Sequence, residues 1–239
     1  MSIQEKIRLG ISACLLGEKV RYDGGHKLDP FLRDTLGRFV EYVPLCPEVE
    51  CGLSVPREAM RLVGCPEEQR LVTAGTGVDH TVRMREWGGK RLEELAREGL
   101  CGFIFKSRSP SCGMERVNVY GGRGTAMSGV GVWARMVMER FPHLTVEDEG
   151  RLNDPELREN FIERIFVFGR WRDMTARDKT LGGLVRFHTA HRLLVMARSP
   201  CAYRALDAIV ASGSGRSVDE LFDEYFAAIA AAMKLRSHS

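Results

Sequence analysis

The chain has 239 residues, 44% of them hydrophobic and 28% charged, with a net charge of +3 at neutral pH. Those values exclude a disordered or fibrous chain, and the length suits one large domain or two small ones. No apolar run approaches the roughly 20 residues of a membrane span, and MSIQEKIRLG lacks the apolar core of a secretory signal, so a soluble cytoplasmic protein without membrane contact is expected.

In chain order, IRLGISACLL (7–16), YVPLC (42–46), GFIFKS (102–107) and LTVED (144–148) read as strands. Between them, 29–36, 82–98 and 128–141 carry helical spacing. Strands alternating with helices predict an α/β domain over 1–150, three-layered around a mostly parallel sheet. From Asp154, an N-cap to ELRENFIERIFVFGRW, the glycines thin out. Stretches 181–197, 201–211 and 218–233 read as further helices, with SGSGR (212–216) as a break before the last. Residues 151–239 are therefore expected to form a smaller all-α domain.

Residues 1–150 hold 21 basic and 21 acidic side chains, so the positive excess lies beyond them. Between 164 and 204, nine basic residues stand against two acidic ones. Such a local excess suits a polyanion-facing surface, and solvated helix faces give the same composition.

Seven cysteines, an odd number, cannot form a complete disulfide framework within one chain. In a reducing compartment their uses are metal binding, catalysis or burial. Cys14 ends the first strand, Cys46 ends the second, and Cys112 follows the third in SRSPSCG. The carboxyl ends of parallel strands converge on one sheet edge, where ligands bind in such folds. Soft sulfur donors select zinc, copper(I) or iron–sulfur clusters. Cys46 and Cys51 have zinc-knuckle spacing but lack a second pair. Three ligands with an open position suit a catalytic centre, including a 4Fe-4S cluster with one open iron. Inert buried thiols are the plainer alternative, assigned here to Cys65, Cys101 and Cys201, while Cys51 stays open.

Glu48, two residues after Cys46, is a candidate general acid or base, or else a solvated loop carboxylate. Ser107, Ser109 and Ser111 crowd the loop before Cys112, which turn chemistry alone would also produce. Asp23 lies in the glycine turn RYDGGHK (21–27). GTGVD and GGRGT lack the ending of a phosphate-binding loop, so neither supports a nucleotide hydrolase. His188 and His191 share a helix face and read as a satisfied pair rather than a metal site.

Together, SACLLGEKVRYDGG, LCPEVECGLSVPRE and FKSRSPSCG resemble the TudS-type thiouracil desulfidase family, over residues 7–150. LGGLVRFHTAHRLLVMARSP (181–200) resembles a second domain often fused behind it. The two together resemble the RudS type, associated with thiolated uracil, including 4-thiouridine of tRNA. The resemblance implies a 4Fe-4S cluster with one open iron, held by Cys14, Cys46 and Cys112. It further implies that the open iron binds the thiocarbonyl sulfur, that water replaces it, and that sulfide leaves without net electron transfer. Glu48 matches the family's CPE carboxylate and Ser109 its SPSCG loop, which implies proton-transfer and substrate-orienting roles, with Asp23 as a third candidate. The implied partners are a thiolated uracil base or nucleoside, and tRNA through Arg186, Arg192 and Arg198. The family's second domain runs on through a basic final helix where this sequence reads AAAMKLRSHS, so a shortened helical domain is expected. The competing reading is a non-catalytic module, stabilised by a metal or cluster, that grips RNA.

Overall fold

The computed structural model describes residues 6–65, 68–121 and 124–234. The chain divides into two units, Met1–Pro155 and Glu156–Ser239. The first runs through β1 (Ile7–Ser12), β2 (Val40–Leu45), α1 (Pro47–Glu50), β3 (Met60–Gly64), β4 (Gln69–Thr73) and α2 (Thr81–Glu98). It continues with β5 (Gly102–Phe105), β6 (Val117–Gly121), β7 (Gly124–Gly129), α3 (Val132–Arg140) and β8 (Thr145–Asp148).

One sheet, in the order β2-β1-β5-β8, is parallel throughout, with Leu9 opposite Tyr42 on one side and Gly102 on the other. Its central strands are buried on both faces, as parallel strands must be: Phe103, Ile104 and Phe105 are wholly buried. The Phe103 and Phe105 rings stack with centroids 4.3 Å apart, and Trp133 of α3 meets Phe103 edge-on. Leu92 and Leu95 of α2 join Val137 of α3 and Val43 of β2 in the same core. Each large side chain buried there contributes about 1.5–3 kcal/mol by leaving water.

A second sheet, β4-β3-β6-β7, is mixed, and the sequence reading lacks it. Its strands MRLVG, QRLVT, VNVYG and GTAMSG are short and carry Gly, Asn, Gln or Arg, so no clean alternation announces them. Two helix expectations change as well. Stretch 128–141 loses its start, because Gly129 pairs with Val117 in the second sheet and α3 begins only at Val132. Stretch 29–36 forms a π-helical turn (Phe31–Thr35) and a 3-10 turn (Leu36–Arg38), since Pro30 and Gly37 leave too few residues for a cooperative helix.

The second unit is helical: α4 (Pro155–Arg177), α5 (Leu181–Arg198), α6 (Pro200–Ala211) and α7 (Val218–Ala232). Thr180 caps α5 by accepting from Gly183 N–H, and Ser199 caps α6 by accepting from Ala202 N–H. Trp171 stacks on Tyr225 at 5.4 Å and meets Phe187 edge-on at 5.1 Å. His188 Nδ1 bonds to the Tyr225 hydroxyl at 3.1 Å and His191 Nδ1 to the Phe187 carbonyl at 2.8 Å, so both imidazoles are packing residues. The architecture is thus α/β with a parallel sheet, followed by an all-α region. Among the described residues, no helix is long and apolar enough to cross a membrane.

Candidate active site

Three parallel strands deliver three thiols to one cavity of about 440 Å³. β1 runs into a 3-10 turn (Ala13–Leu16) that carries Cys14. β2 ends against Cys46, whose extended backbone starts α1 with Pro47 at the first helical position. Cys46 N–H donates to Glu50 Oε1 at 3.0 Å, which folds the short helix back on the cysteine. β5 leads into the loop that bears Cys112.

That loop is fixed by the amino end of α3. The first N–H groups of a helix lack partners within it. Here Val132 N–H donates to Pro110 O at 3.1 Å and Trp133 N–H to Ser111 O at 2.9 Å, while Gly131 N–H donates to Gly113 O at 2.7 Å. Gly131 is required by that approach, because a Cβ there would lie 2.5 Å from Ser111 O. Ser109 Oγ accepts from Ser111 N–H at 3.3 Å and Cys112 N–H at 3.1 Å, so it lines the cavity and also shapes the loop.

Burial, then the neighbouring Cys46, push the Cys14 thiol up to about 11. Cys112 is raised well above the ordinary thiol range by burial, then by Cys46, Glu48 and Cys14; Cys46 is raised chiefly by burial. Three thiolates crowded here without a counter-charge would repel one another in a poorly solvated place. A bound cationic group relieves both costs. Among the described residues, no set of three or more His, Cys, Asp or Glu side chains could hold a single metal ion. Three soft thiol donors on separate loops around one cavity are a donor set that fits a multi-iron cluster, whose ligands bind different irons.

Glu48 is not a solvated loop carboxylate. Its Oε1 accepts from the buried Ser111 hydroxyl at 2.8 Å, and its Oε2 accepts from Arg57 Nε at 2.8 Å and from Arg57 Nη2. Lys106 donates to Glu149, and the same carboxylate accepts from Ser107 N–H at 2.7 Å and from the Ser107 hydroxyl at 2.8 Å. Arg57 and Glu149 escape the sequence reading. Each meets its partner across a loop or a strand crossover, 9 and 42 positions away, where no periodicity reaches.

Asp23 lies outside the cavity wall. It is exposed, and Gly25 N–H, 2.9 Å from its Oδ1, holds its carboxyl below the usual range. Cys51 is also outside, donating to Glu48 O at 3.3 Å and packing beside Leu62 and Met84. Of the three cysteines expected to be buried, Cys101 is, whereas Cys65, just past the end of β3, and Cys201, in the first turn of α6, are exposed; all seven cysteines are free thiols. In the basic segment, Arg186 pairs with Asp178 and Arg198 with Glu163, while Arg192 lies over the Tyr203 ring at 5.9 Å.

The family described as 2-thiouracil desulfurase matches residues 9–149, and a protein family of unknown function, DUF1722, matches residues 192–239. An uncharacterized protein of Bacillus subtilis (strain 168), YbbK, is 32% identical over 152 residues, which is 60% of this chain and 97% of that one. Among solved structures, the [4Fe-4S]-dependent thiouracil desulfidase TudS is 33% identical with a TM-score of 0.50, covering 64% of this chain and 95% of its own. The three cysteine-bearing loops on the cavity wall all fall inside the matched region, and the chain belongs to the 2-thiouracil desulfurase family.

Proposed function

We propose that the protein hydrolyses the thiocarbonyl of a thiolated uracil to the carbonyl, with Cys14, Cys46 and Cys112 as ligands of a 4Fe-4S cluster. The observation that carries this reading is the meeting of those three thiols with Glu48 in one cavity. The overall change, C=S plus water to C=O plus hydrogen sulfide, gains and loses no electrons. When bound, the cluster supplies a Lewis-acidic iron for the departing sulfur.

The chain's own residues supply the rest. Glu48, gripped at both oxygens, takes a proton from the attacking water and returns one to the ring nitrogen or the sulfur. Ser109, on the cavity wall, orients the uracil ring. The proton work is assigned to Glu48 ahead of the exposed Asp23. Free thiols at all seven cysteines suit a reducing cytoplasm. A finer element of the proposal is that the substrate includes 4-thiouridine in tRNA, approached by the basic segment. Arg192 carries most of that element, because Asp178 and Glu163 neutralise Arg186 and Arg198.

Glu48→Gln keeps shape and removes the titrating proton. It is expected to retain iron while sulfide release from thiouracil falls by about 10²–10⁴-fold. Near-normal release would take the proton-transfer role away from Glu48.

A further inference from the structure

Arg57 is the least expected group on the cavity wall. Its side chain is only 7% exposed, although it carries a permanent charge. An arginine buried so far needs its fork satisfied, and three segments satisfy it. Nε and Nη2 both donate to Glu48 Oε2, Nη2 also donates to Val20 O at 2.9 Å, and Nη1 donates to Ser54 O at 3.1 Å. The Arg57 backbone N–H donates to Tyr22 O at 2.8 Å. Val20 and Tyr22 belong to the loop that follows Cys14, and both line the cavity.

We propose that Arg57 is a positioning residue: it fixes the Glu48 carboxylate against the cavity and ties the Val20–Tyr22 loop to the same carboxylate. The inference rests on Glu48 as the proton-transfer group. Ser111 holds Oε1 and Arg57 holds Oε2, so the carboxylate plane has one orientation. Removing the fork releases one carboxylate oxygen and the Val20 end of the loop together, while the backbone bond to Tyr22 O stays. Lysine keeps the charge but presents a single rotating donor head, so it cannot hold Glu48 Oε2 and Val20 O in fixed directions at once.

A double-mutant cycle separates this role from plain structural support. Arg57→Lys, Glu48→Gln and the double variant are loaded with iron, and kcat, KM and iron content are measured with thiouracil. Arg57→Gln replaces Arg57→Lys in the same cycle should the lysine variant not accumulate as folded protein. Amide hydrogen exchange across residues 18–24 is read on iron-free protein. The expected result is a fall in kcat of about ten- to hundredfold for Arg57→Lys, with KM and iron little changed. In the Glu48→Gln background the same change should lower kcat less than about twofold. Exchange across 18–24 should quicken by about tenfold in Arg57→Gln. An equal loss in both backgrounds, loss of iron in parallel with kcat, or unchanged exchange would overturn the inference. Near-normal turnover of Glu48→Gln alone would instead overturn the reading beneath it.

Discussion

Gly131→Ala isolates the clamp between α3 and the Cys112 loop. The backbone of Gly131, at φ −58° and ψ 143°, accepts alanine without strain, so the cost is purely steric. The added Cβ would lie 2.5 Å from Ser111 O, 2.6 Å from Ser111 C and 2.8 Å from Gly113 N. The loop must retreat by about 0.9 Å to restore an ordinary 3.4 Å contact, and backbone atoms cannot swing aside as a side-chain tip can. Overpacking of this kind costs about 1–3 kcal/mol. For a unit of this length that corresponds to a melting temperature lower by roughly 2–12 °C. Gly89 is the matched control: it lies inside α2 with nothing within 4 Å of its would-be Cβ. Gly89→Ala should stabilise by about 0.5–1 kcal/mol, because alanine loses less entropy in a helix. Both variants are followed by thermal unfolding and by iron content after anaerobic reconstitution. Iron should fall for Gly131→Ala, since Cys112 moves with the loop, and hold for Gly89→Ala. A Gly131→Ala protein that melts with wild type and fills with iron would refute the idea that α3 sets the position of Cys112.

Two further expectations concern the helical unit. Burial holds both His188 and His191 below the usual imidazole value, so the unfolded chain binds more protons as pH falls through about 6.5. Stability supplied by the neutral rings is present above that pH and lost below it. Urea unfolding should therefore weaken from about pH 7.5 to about pH 5.5, and a flat profile would remove the histidines as its cause. Reversing Arg186, Arg192 and Arg198 should weaken tRNA binding and its salt dependence while sparing a free thiouracil. A flat salt dependence for tRNA in the parent protein would leave the basic segment without a nucleic-acid role.

The parallel sheet was legible because its strands are continuous apolar runs bounded by Gly, Pro or Cys. GFIFKS, flanked by an amphipathic helix, admits few other readings. The second sheet was not, since strands such as GTAMSG take their structure from pairing rather than from pattern. At the site, strand-end position alone puts Cys14, Cys46 and Cys112 on a common edge, and all three line one cavity. The same logic says nothing about Arg57 or Glu149, whose importance comes from tertiary hydrogen bonds to Glu48 and Ser107. Asp23 shows the reverse limit. A polar residue in a glycine turn near a cysteine motif looks catalytic in sequence, yet its own turn hydrogen bond to Gly25 accounts for it.

Iron content of a cysteine panel tests the central claim most directly. Anaerobically reconstituted protein should carry about four irons per chain and release sulfide from thiouracil. Cys14→Ala, Cys46→Ala and Cys112→Ala should each lose iron and turnover together, while Cys65→Ala and Cys201→Ala, both at exposed positions, keep both. Full iron occupancy in Cys112→Ala, or sulfide release at the parent rate from iron-free protein, would contradict the account.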